Sequence, residues 1–277
     1  MRAEVVATPV LERLAASEAR GVVRGATARA AYLDLDGFVV ALIVPGVPLM
    51  PNGVVVPRTA LADGPVRAAP GRIAVGATAI TWDAENPPSW EPALAEVAAG
   101  DVAVLQARAD AIAAALSHGS AAPAGGLIAT DRGAEGLRHL TRAVATRDPA
   151  AAALAAERLT GLGGGLTPEG DDVLAATAAV VAAAGGAAGF GADDRARWLA
   201  ALVPGETAQR TTALAATLLR LAARGRVIEP VHRLLDTGRD HAWRDGLATL
   251  AATGASTGRA YAAAVASTLA LLFVEEP

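Results

Sequence analysis

The pattern of apolar and polar positions divides the chain into a strand-rich first part and a helical second part. Residues 21–56 are rich in Val, Leu and Ile and are interrupted by turn pairs such as Asp36-Gly37, which is typical of short strands joined by tight turns. The alternating segment 72–82 predicts one further strand. The prolines of 83–92 then disfavour both a helix and a central strand.

Beyond the Ala-, Gly- and Pro-containing connection at 118–128, nearly all of the pattern is helical. Asp148-Pro149 and Thr167-Pro168 are typical helix starts, because a capping side chain precedes a proline that suits the first helical position. The predicted helices lie at 10–19, 93–116, 149–159, 168–184, 193–203, 206–224, 227–235, 239–252 and 256–273. The sequence therefore predicts an α+β fold, with a β-rich domain at 1–120 followed by a mainly α-helical domain at 121–277.

Composition excludes several kinds of chemistry. The 277 residues contain neither Cys nor Lys, which removes disulfides, thiolate nucleophiles, Schiff-base lysines and the lysine of a P-loop. The net charge of −4, without a basic stripe, argues against a nucleic-acid partner. The uncharged stretches 173–190 and 260–274 are too short or too rich in Ala to predict membrane spans. Because the N-terminal segment carries acids and lacks a long apolar run, we expect no signal peptide and a cytoplasmic protein.

A glycine-rich segment, GLGGGLTPEGDD at 161–172, lies directly before a predicted helix. Glycine can adopt positive φ and turn several backbone N–H groups toward one point, and the first turn of a helix adds further N–H groups and the positive end of its dipole. We therefore expect Gly163, Gly164 and Gly165, together with Thr167, to bind a phosphate or carboxylate. Arg210 is the arginine that we expect to complete the site, although a solvated helix face also explains it.

A purely structural interpretation of the same segment stays open. The glycines could form a tight link between helices, with Thr167 as the helix cap and the acids complementing the helix dipole. Glu169 and Asp172 lie three residues apart on one helix face, so they could also share Mg²⁺, or one could act as a base. Because a hard cation needs more oxygen ligands than this run supplies, we predict no metal and no cofactor, with Mg²⁺ as the alternative.

Two familiar motifs are only apparent in this chain. The glycine-rich segment is not a dinucleotide-binding fingerprint, since Leu166 stands where the last glycine is required and a predicted helix, not a strand, precedes it. The segment Gly254-Ala-Ser256-Thr-Gly258 matches the G-x-S-x-G pattern of serine hydrolases. It joins two predicted helices, however, and no His follows Ser256, so we do not predict a serine hydrolase.

The glycine-rich segment resembles the hallmark of the family that contains the AllH subunit of oxamate carbamoyltransferase, G-x-G-x-G-L-T-P-x-G-D-D. Every fixed position is met, by Gly161, Gly163, Gly165, Leu166, Thr167, Pro168, Gly170, Asp171 and Asp172. Two weaker similarities follow at Arg210-Thr211-Thr212 and at Gly254–Gly258. The second departs from the family pattern, because Arg259-Ala260-Tyr261 stands where an acidic residue is expected.

The resemblance implies a subunit of a multi-subunit carbamoyltransferase in purine or allantoin catabolism. Its implied substrates are oxamate, oxalurate or a similar small carboxylate, with carbamoyl phosphate, and its implied partners include an acyl-CoA-synthetase-like subunit. The expected catalytic residues are Asp171 and Asp172. The expected substrate-binding residues are Gly163, Gly164, Gly165, Leu166, Thr167, Glu169, Gly170, Arg210, Thr211 and Ser256. A non-catalytic scaffold or regulatory subunit, and a transferase or hydrolase for another small acid, are the alternatives.

Overall fold

The computed structural model describes residues 1–62, 64–118, 130–238, 241–254 and 256–274. It forms two compact units, Met1–Pro92 and Ala93–Pro277. The first unit is built on a sheet and the second is helical, so the predicted α+β class is confirmed. The predicted domain boundary at residue 120 lies within residues 119–129, which are outside the described residues. Helix α2 (Val102–His118) lies in the second unit because it packs against the last helix of the chain.

The first unit is a nine-stranded sheet with one helix, α1 (Thr8–Ala16). Its strands are β1 (Val5–Ala7), β2 (Ala19–Ala26), β3 (Ala30–Leu35), β4 (Phe38–Ile43), β5 (Gly53–Val55), β6 (Val66–Ala69), β7 (Arg72–Val75), β8 (Thr78–Thr81) and β9 (Ser89–Trp90). Their spatial order is β8-β7-β6-β2-β3-β4-β5-β1-β9. Apolar side chains of one sheet face pack with Val10 and Leu14 of α1, which forms the core of this unit.

The tight turn predicted between β3 and β4 is confirmed. Asp36 and Gly37 both have positive φ, at 53° and 83°, and Leu35 pairs with Phe38 across the two-residue loop. The single strand predicted at 72–82 is wrong, since β7 and β8 form an antiparallel hairpin that turns at Gly76, where φ is 52°. The alternation of side chains passes through this short turn, and it therefore resembled one strand.

The second unit begins with an extended segment and a short 3₁₀ turn, Ala99–Asp101. The helix predicted from residue 93 is therefore too long at its start, because the amides of Leu94 and Val97 bond the carbonyls of Gly225 and Ala183 instead of a helical turn. The helices are α2, α3 (Asp131–Thr146), α4 (Pro149–Leu159), α5 (Glu169–Ala184), α6 (Ala192–Leu202), α7 (Ala213–Ala222), α8 (Glu229–Leu235), α9 (Ala242–Ala251) and α10 (Thr257–Leu272).

Helix α5 is the central helix of this unit. All but one of its residues are buried, and it packs against α4, α6, α7 and α10. Its uncharged, Ala-rich sequence therefore reflects burial, since alanine lets neighbouring helices approach closely. In the part of the chain that the structure describes, no helix combines the length and hydropathy needed to cross a bilayer.

The helix predicted at 206–224 is wrong in its first half. A 3₁₀ turn, Gly205–Gln209, is followed by three non-helical residues, and α7 starts only after Thr212. The Thr212 hydroxyl accepts a hydrogen bond from the amide of Ala215 at 3.1 Å and so caps α7. The break places Arg210 and Thr211 on a connection between helices, where they meet the glycine-rich segment.

Candidate functional site

The glycine-rich segment forms a compact loop between α4 and α5. The Leu162 amide donates to the carbonyl of Leu159 at 2.9 Å, and the Gly170 amide donates to the carbonyl of Leu162 at 2.9 Å. Gly161 and Gly163 adopt φ of 70° and 118°, a backbone conformation that other residues rarely take. These two bonds and two glycines bring the end of α4 and the first turn of α5 together, with the rest of the loop between them.

The middle of this loop is exposed. Residues 163–166 are exposed and Thr167 is half-buried. Within the described ranges, no backbone N–H of residues 163–167 donates a hydrogen bond to the protein. The amides on either side differ, because those of Gly161 and Gly170 are bonded internally. The exposed part of the loop therefore keeps a run of unused donors beside a helix N-terminus, which is the arrangement that stabilises a bound anion.

Asp171 links the loop to the connection before α7. Its carboxylate is buried and accepts the Gly161 amide at Oδ1, at 3.0 Å, and the Thr211 hydroxyl at Oδ2. Burial raises the pKa of Asp171, while the hydrogen bonds from Thr211 and Gly161 lower it in part. Both oxygens are used inside the protein, so in this structure Asp171 fixes the shape of the loop.

Asp172 is the most strongly perturbed carboxyl of the site. The pKa of Asp172 is raised to about 8, mainly by burial and to a smaller extent by the charges of Asp171 and Glu169. The hydroxyls of Thr257 and Thr167 act in the opposite direction. Oδ2 of Asp172 is buried and has no hydrogen-bond partner among the described residues. A proton on this carboxyl near neutral pH removes the cost of an unpaired buried charge.

Thr167 does not cap α5, so that part of the structural interpretation is wrong. Pro168 occupies the N-cap position with φ of −54° and ψ of 141°, which starts the helix at Glu169 and leaves Thr167 outside it. The Thr167 hydroxyl instead shares a hydrogen bond with the Thr257 hydroxyl at 3.1 Å. The similar pair Asp148-Pro149 behaves as predicted, because there the proline is inside the helix and Asp148 accepts the amide of Ala150.

The first turn of α10 completes the surroundings of Asp172. Thr257 lies beside its carboxyl, and the buried Tyr261 is close enough for the charges of Asp172 and Asp171 to add to the effect of burial, which raises the pKa of Tyr261 well above its ordinary value. Ser256, one residue before α10, is exposed, and its hydroxyl does not cap the helix. At this end of α10, the contact with the loop is therefore made by Thr257 and not by Ser256.

Arg210 and Thr212 contact the loop through unexpected atoms. The backbone carbonyl of Arg210 lies against Gly161, where an added Cβ would be 2.2 Å from that oxygen. The Arg210 guanidinium donates to the carbonyl of Glu157 at 2.5 Å, at the C-terminal end of α4, where a cation complements the helix dipole. The Thr212 hydroxyl donates to the carbonyl of Leu166 at 2.5 Å. The connection before α7 therefore holds both ends of the loop.

Glu169 is buried at the start of α5, with 8% of its surface exposed. No hydrogen bond or ion pair joins its side chain to the other described residues. Among the same residues, no group of three or more His, Asp or Glu side chains is arranged to hold a metal ion. The predicted Mg²⁺ alternative, with Glu169 and Asp172 as ligands, is not supported by any third ligand in the described part of the chain.

The loop, the connection before α7 and the start of α10 all lie in one region of the chain that matches a family model. Residues 159–269 match the model described as oxamate carbamoyltransferase subunit AllH. The match begins at the last residue of α4 and ends within α10, so it includes the loop and each of its contacts described above. No curated protein and no solved structure matches the chain.

Sequence reasoning missed three residues of the matched region: Thr212 and Thr257, which contact the loop, and Tyr261, whose pKa is raised in part by the charges of Asp172 and Asp171. Each of these residues lies within or next to one of the two weaker family similarities. Those similarities were the signal in the sequence that could have indicated them. The contact from Thr167 to Thr257 spans 90 residues, and a single sequence contains no information on such a pairing.

Proposed function

We propose that the chain is a substrate-binding subunit of an oxamate carbamoyltransferase and that residues 163–167 bind a small anion, either the carboxylate of oxamate or the phosphate of carbamoyl phosphate. The observation that carries the proposal is the run of exposed backbone amides without a partner in the described protein, directly before the N-terminus of α5. A compact oxyanion can accept several of these N–H groups at once. The match of the same residues to the AllH model supports an oxamate carbamoyltransferase subunit.

The acids of the first turn of α5 are compatible with an anion at this loop. Asp171 already accepts two hydrogen bonds, and the proton on Asp172 near neutral pH lowers the negative charge beside the loop. In this proposal Asp171 positions the loop, and Asp172 acts through Thr167 and Thr257, whose hydroxyls lie against it. The free amides remain the groups that touch the ligand.

Replacing Gly164 by leucine should strongly weaken anion binding while leaving the fold intact. Gly164 does not have positive φ, and a Cβ built on it meets nothing within 4 Å, so the protein tolerates a side chain there. A leucine side chain would cover the neighbouring amides and exclude a compact anion. We expect oxamate and inorganic phosphate affinities to fall by about a hundredfold in isothermal titration, equivalent to about 3 kcal/mol.

Gly100→Leu is the matched control for this experiment. Gly100 is exposed, lacks positive φ and has equally open surroundings, but it lies in the 3₁₀ turn before α2. The free energy of unfolding of each variant should lie within about 0.5 kcal/mol of that of the unmodified chain. Unchanged oxamate and phosphate affinity in Gly164→Leu, with the fold intact, would refute the binding of anions at these amides.

Leu166 favours a second candidate function for the same loop, the docking of another enzyme subunit. Its side chain is 50% exposed at the loop surface, and its carbonyl is held by the Thr212 hydroxyl. Single exposed leucines are common on protein surfaces, but the backbone of this one is fixed, so its side chain is presented to a partner without further ordering of the loop. The description of the family as a subunit is consistent with such a partner.

Leu166→Ser separates the two functions. If the loop docks a subunit, this variant should weaken assembly with the other subunits by about tenfold, because an apolar anchor is lost, while oxamate affinity stays unchanged. Analytical ultracentrifugation of the reconstituted complex measures assembly, and calorimetry measures binding. The exposed Leu154 on α4 offers a control, since Leu154→Ser removes a similar side chain away from the loop. Equal assembly of both variants would exclude docking through Leu166.

A further inference from the structure

A cavity of about 210 Å³ lies between α3, α5 and α10. Its walls are mainly apolar and include Leu140, Val144, Val173 and Ala264. Since one water takes about 30 Å³ of liquid, the cavity holds far more than a single ordered water. The space exists because α10 presents alanines toward α3, where larger side chains would fill it.

Glu169 lines this cavity. Glu169 is only 8% exposed, and within the described ranges no hydrogen-bond donor or cation of the protein pairs with its carboxylate. Its negative charge raises the pKa of Asp172, so Asp172 offers no compensating charge. A carboxylate without a partner at an apolar cavity is a site that a bound cation would stabilise.

The surroundings define the chemistry of the missing partner. Apolar walls require an aliphatic part, and the carboxylate requires a charged N–H donor. The sequence contains no lysine, so none of its side chains can supply an ammonium group. Within the described residues, a metal ion finds no group of three carboxylate or imidazole ligands here.

We propose that this cavity is a binding site for an aliphatic ammonium group, with Glu169 as its counter-ion and the apolar walls around its carbon chain. The site is separate from the loop amides, which bind the opposite charge, and it does not depend on the function proposed for them. The ammonium group comes either from a free amine or from a lysine side chain of another polypeptide, and the chemistry is the same for both.

The test is a methyl NMR titration of the full chain with n-butylammonium chloride, and with n-butanol as the uncharged analogue. Butylammonium should shift the methyl signals of Val144 and Val173, which line the cavity. In Glu169→Gln its affinity should fall by about tenfold or more, because the charge-assisted bond is lost, while butanol binds equally to both proteins. Thermal unfolding verifies that the variant is folded.

A second variant and a second probe complete the experiment. Ala264→Leu fills the cavity and should remove binding of both butylammonium and butanol. Nα-acetyl-lysine amide distinguishes the sources: equal binding of this probe indicates a polypeptide lysine, and binding of butylammonium alone indicates a free amine. The proposal is overturned if butylammonium leaves the Val144 and Val173 signals unshifted, or if Glu169→Gln binds it as tightly as the unmodified chain. Neither outcome depends on whether the protein binds oxamate.

Discussion

Replacing Gly170 by alanine is expected to destabilise the helical unit by about 3 kcal/mol. A Cβ at this position would lie 2.1 Å from the carbonyl oxygen of Leu159 and 3.2 Å from that of Leu162. Both obstructing atoms are backbone, so no side chain can rotate away. The first turn of α5 would have to separate from the end of α4, and the hydrogen bond from the Gly170 amide to Leu162 would be strained or lost.

Denaturant unfolding followed by far-ultraviolet circular dichroism measures this effect, because the signal is dominated by the helices. Gly164→Ala is the control, since it adds the same methyl group in the same loop where nothing lies within 4 Å. It should be neutral or slightly stabilising, as alanine reduces the freedom of the unfolded chain. If Gly170→Ala unfolds at the same denaturant concentration as Gly164→Ala, the close contact between α4 and α5 is wrong.

The contrast between these two glycines shows what the sequence could and could not predict about the loop. The run of glycines before a helix start correctly located a tight connection between α4 and α5. It did not reveal that Gly170 is required by packing while Gly164 is not, because that difference arises from the approach of α4. Two glycines of one motif are therefore present for different structural reasons, and only the tertiary contacts distinguish these reasons.

The fold was predictable where the determinants are local. Asp36-Gly37 and Asp148-Pro149 define a turn and a helix start through their own backbone preferences, and both predictions are confirmed. The prediction was wrong where the helical pattern of the sequence continues through a break in the helix of the structure. The break at Arg210–Thr212 follows from contacts of this connection with the glycine-rich loop, which lies 40 to 46 residues earlier in the chain. Helix periodicity alone could not indicate it.

The candidate site was predictable as a segment, but not as a set of roles. The acids of the GLGGGLTPEGDD run differ in their surroundings: Asp171 is bonded on both oxygens, Asp172 is buried beside hydroxyls, and Glu169 lines a cavity. Spacing along the helix placed Glu169 and Asp172 on one face but gave no information on burial. Burial together with hydrogen bonds from distant residues sets the pKa of Asp171 and of Asp172, and neither is visible in the spacing.

Asp172→Asn is expected to make the protein more stable than the unmodified chain as the pH rises. The pKa of Asp172 is raised from 3.8 to about 8 in the folded protein, mainly by burial. Below pH 3.8, Asp172 is protonated in both the folded and the unfolded protein, and the full stability of the protein is present. Between the two values the unfolded chain loses its proton while the folded chain keeps it, so the free energy of unfolding falls by up to about 1.4 kcal/mol per pH unit. Above the folded value the loss is complete.

Asparagine has nearly the same shape and cannot ionise, so the variant lacks this loss. The difference in unfolding free energy between Asp172→Asn and the unmodified chain should increase steadily from about pH 5 to about pH 8 and then level off. Asp171 titrates in both proteins, so its contribution largely cancels in the comparison. Asp110→Asn, at an exposed acid on α2, should give a difference that does not change with pH. A pH-independent difference for Asp172→Asn as well would show that Asp172 is already ionised in the folded protein near neutral pH, and the negative charge beside the loop amides would then oppose anion binding.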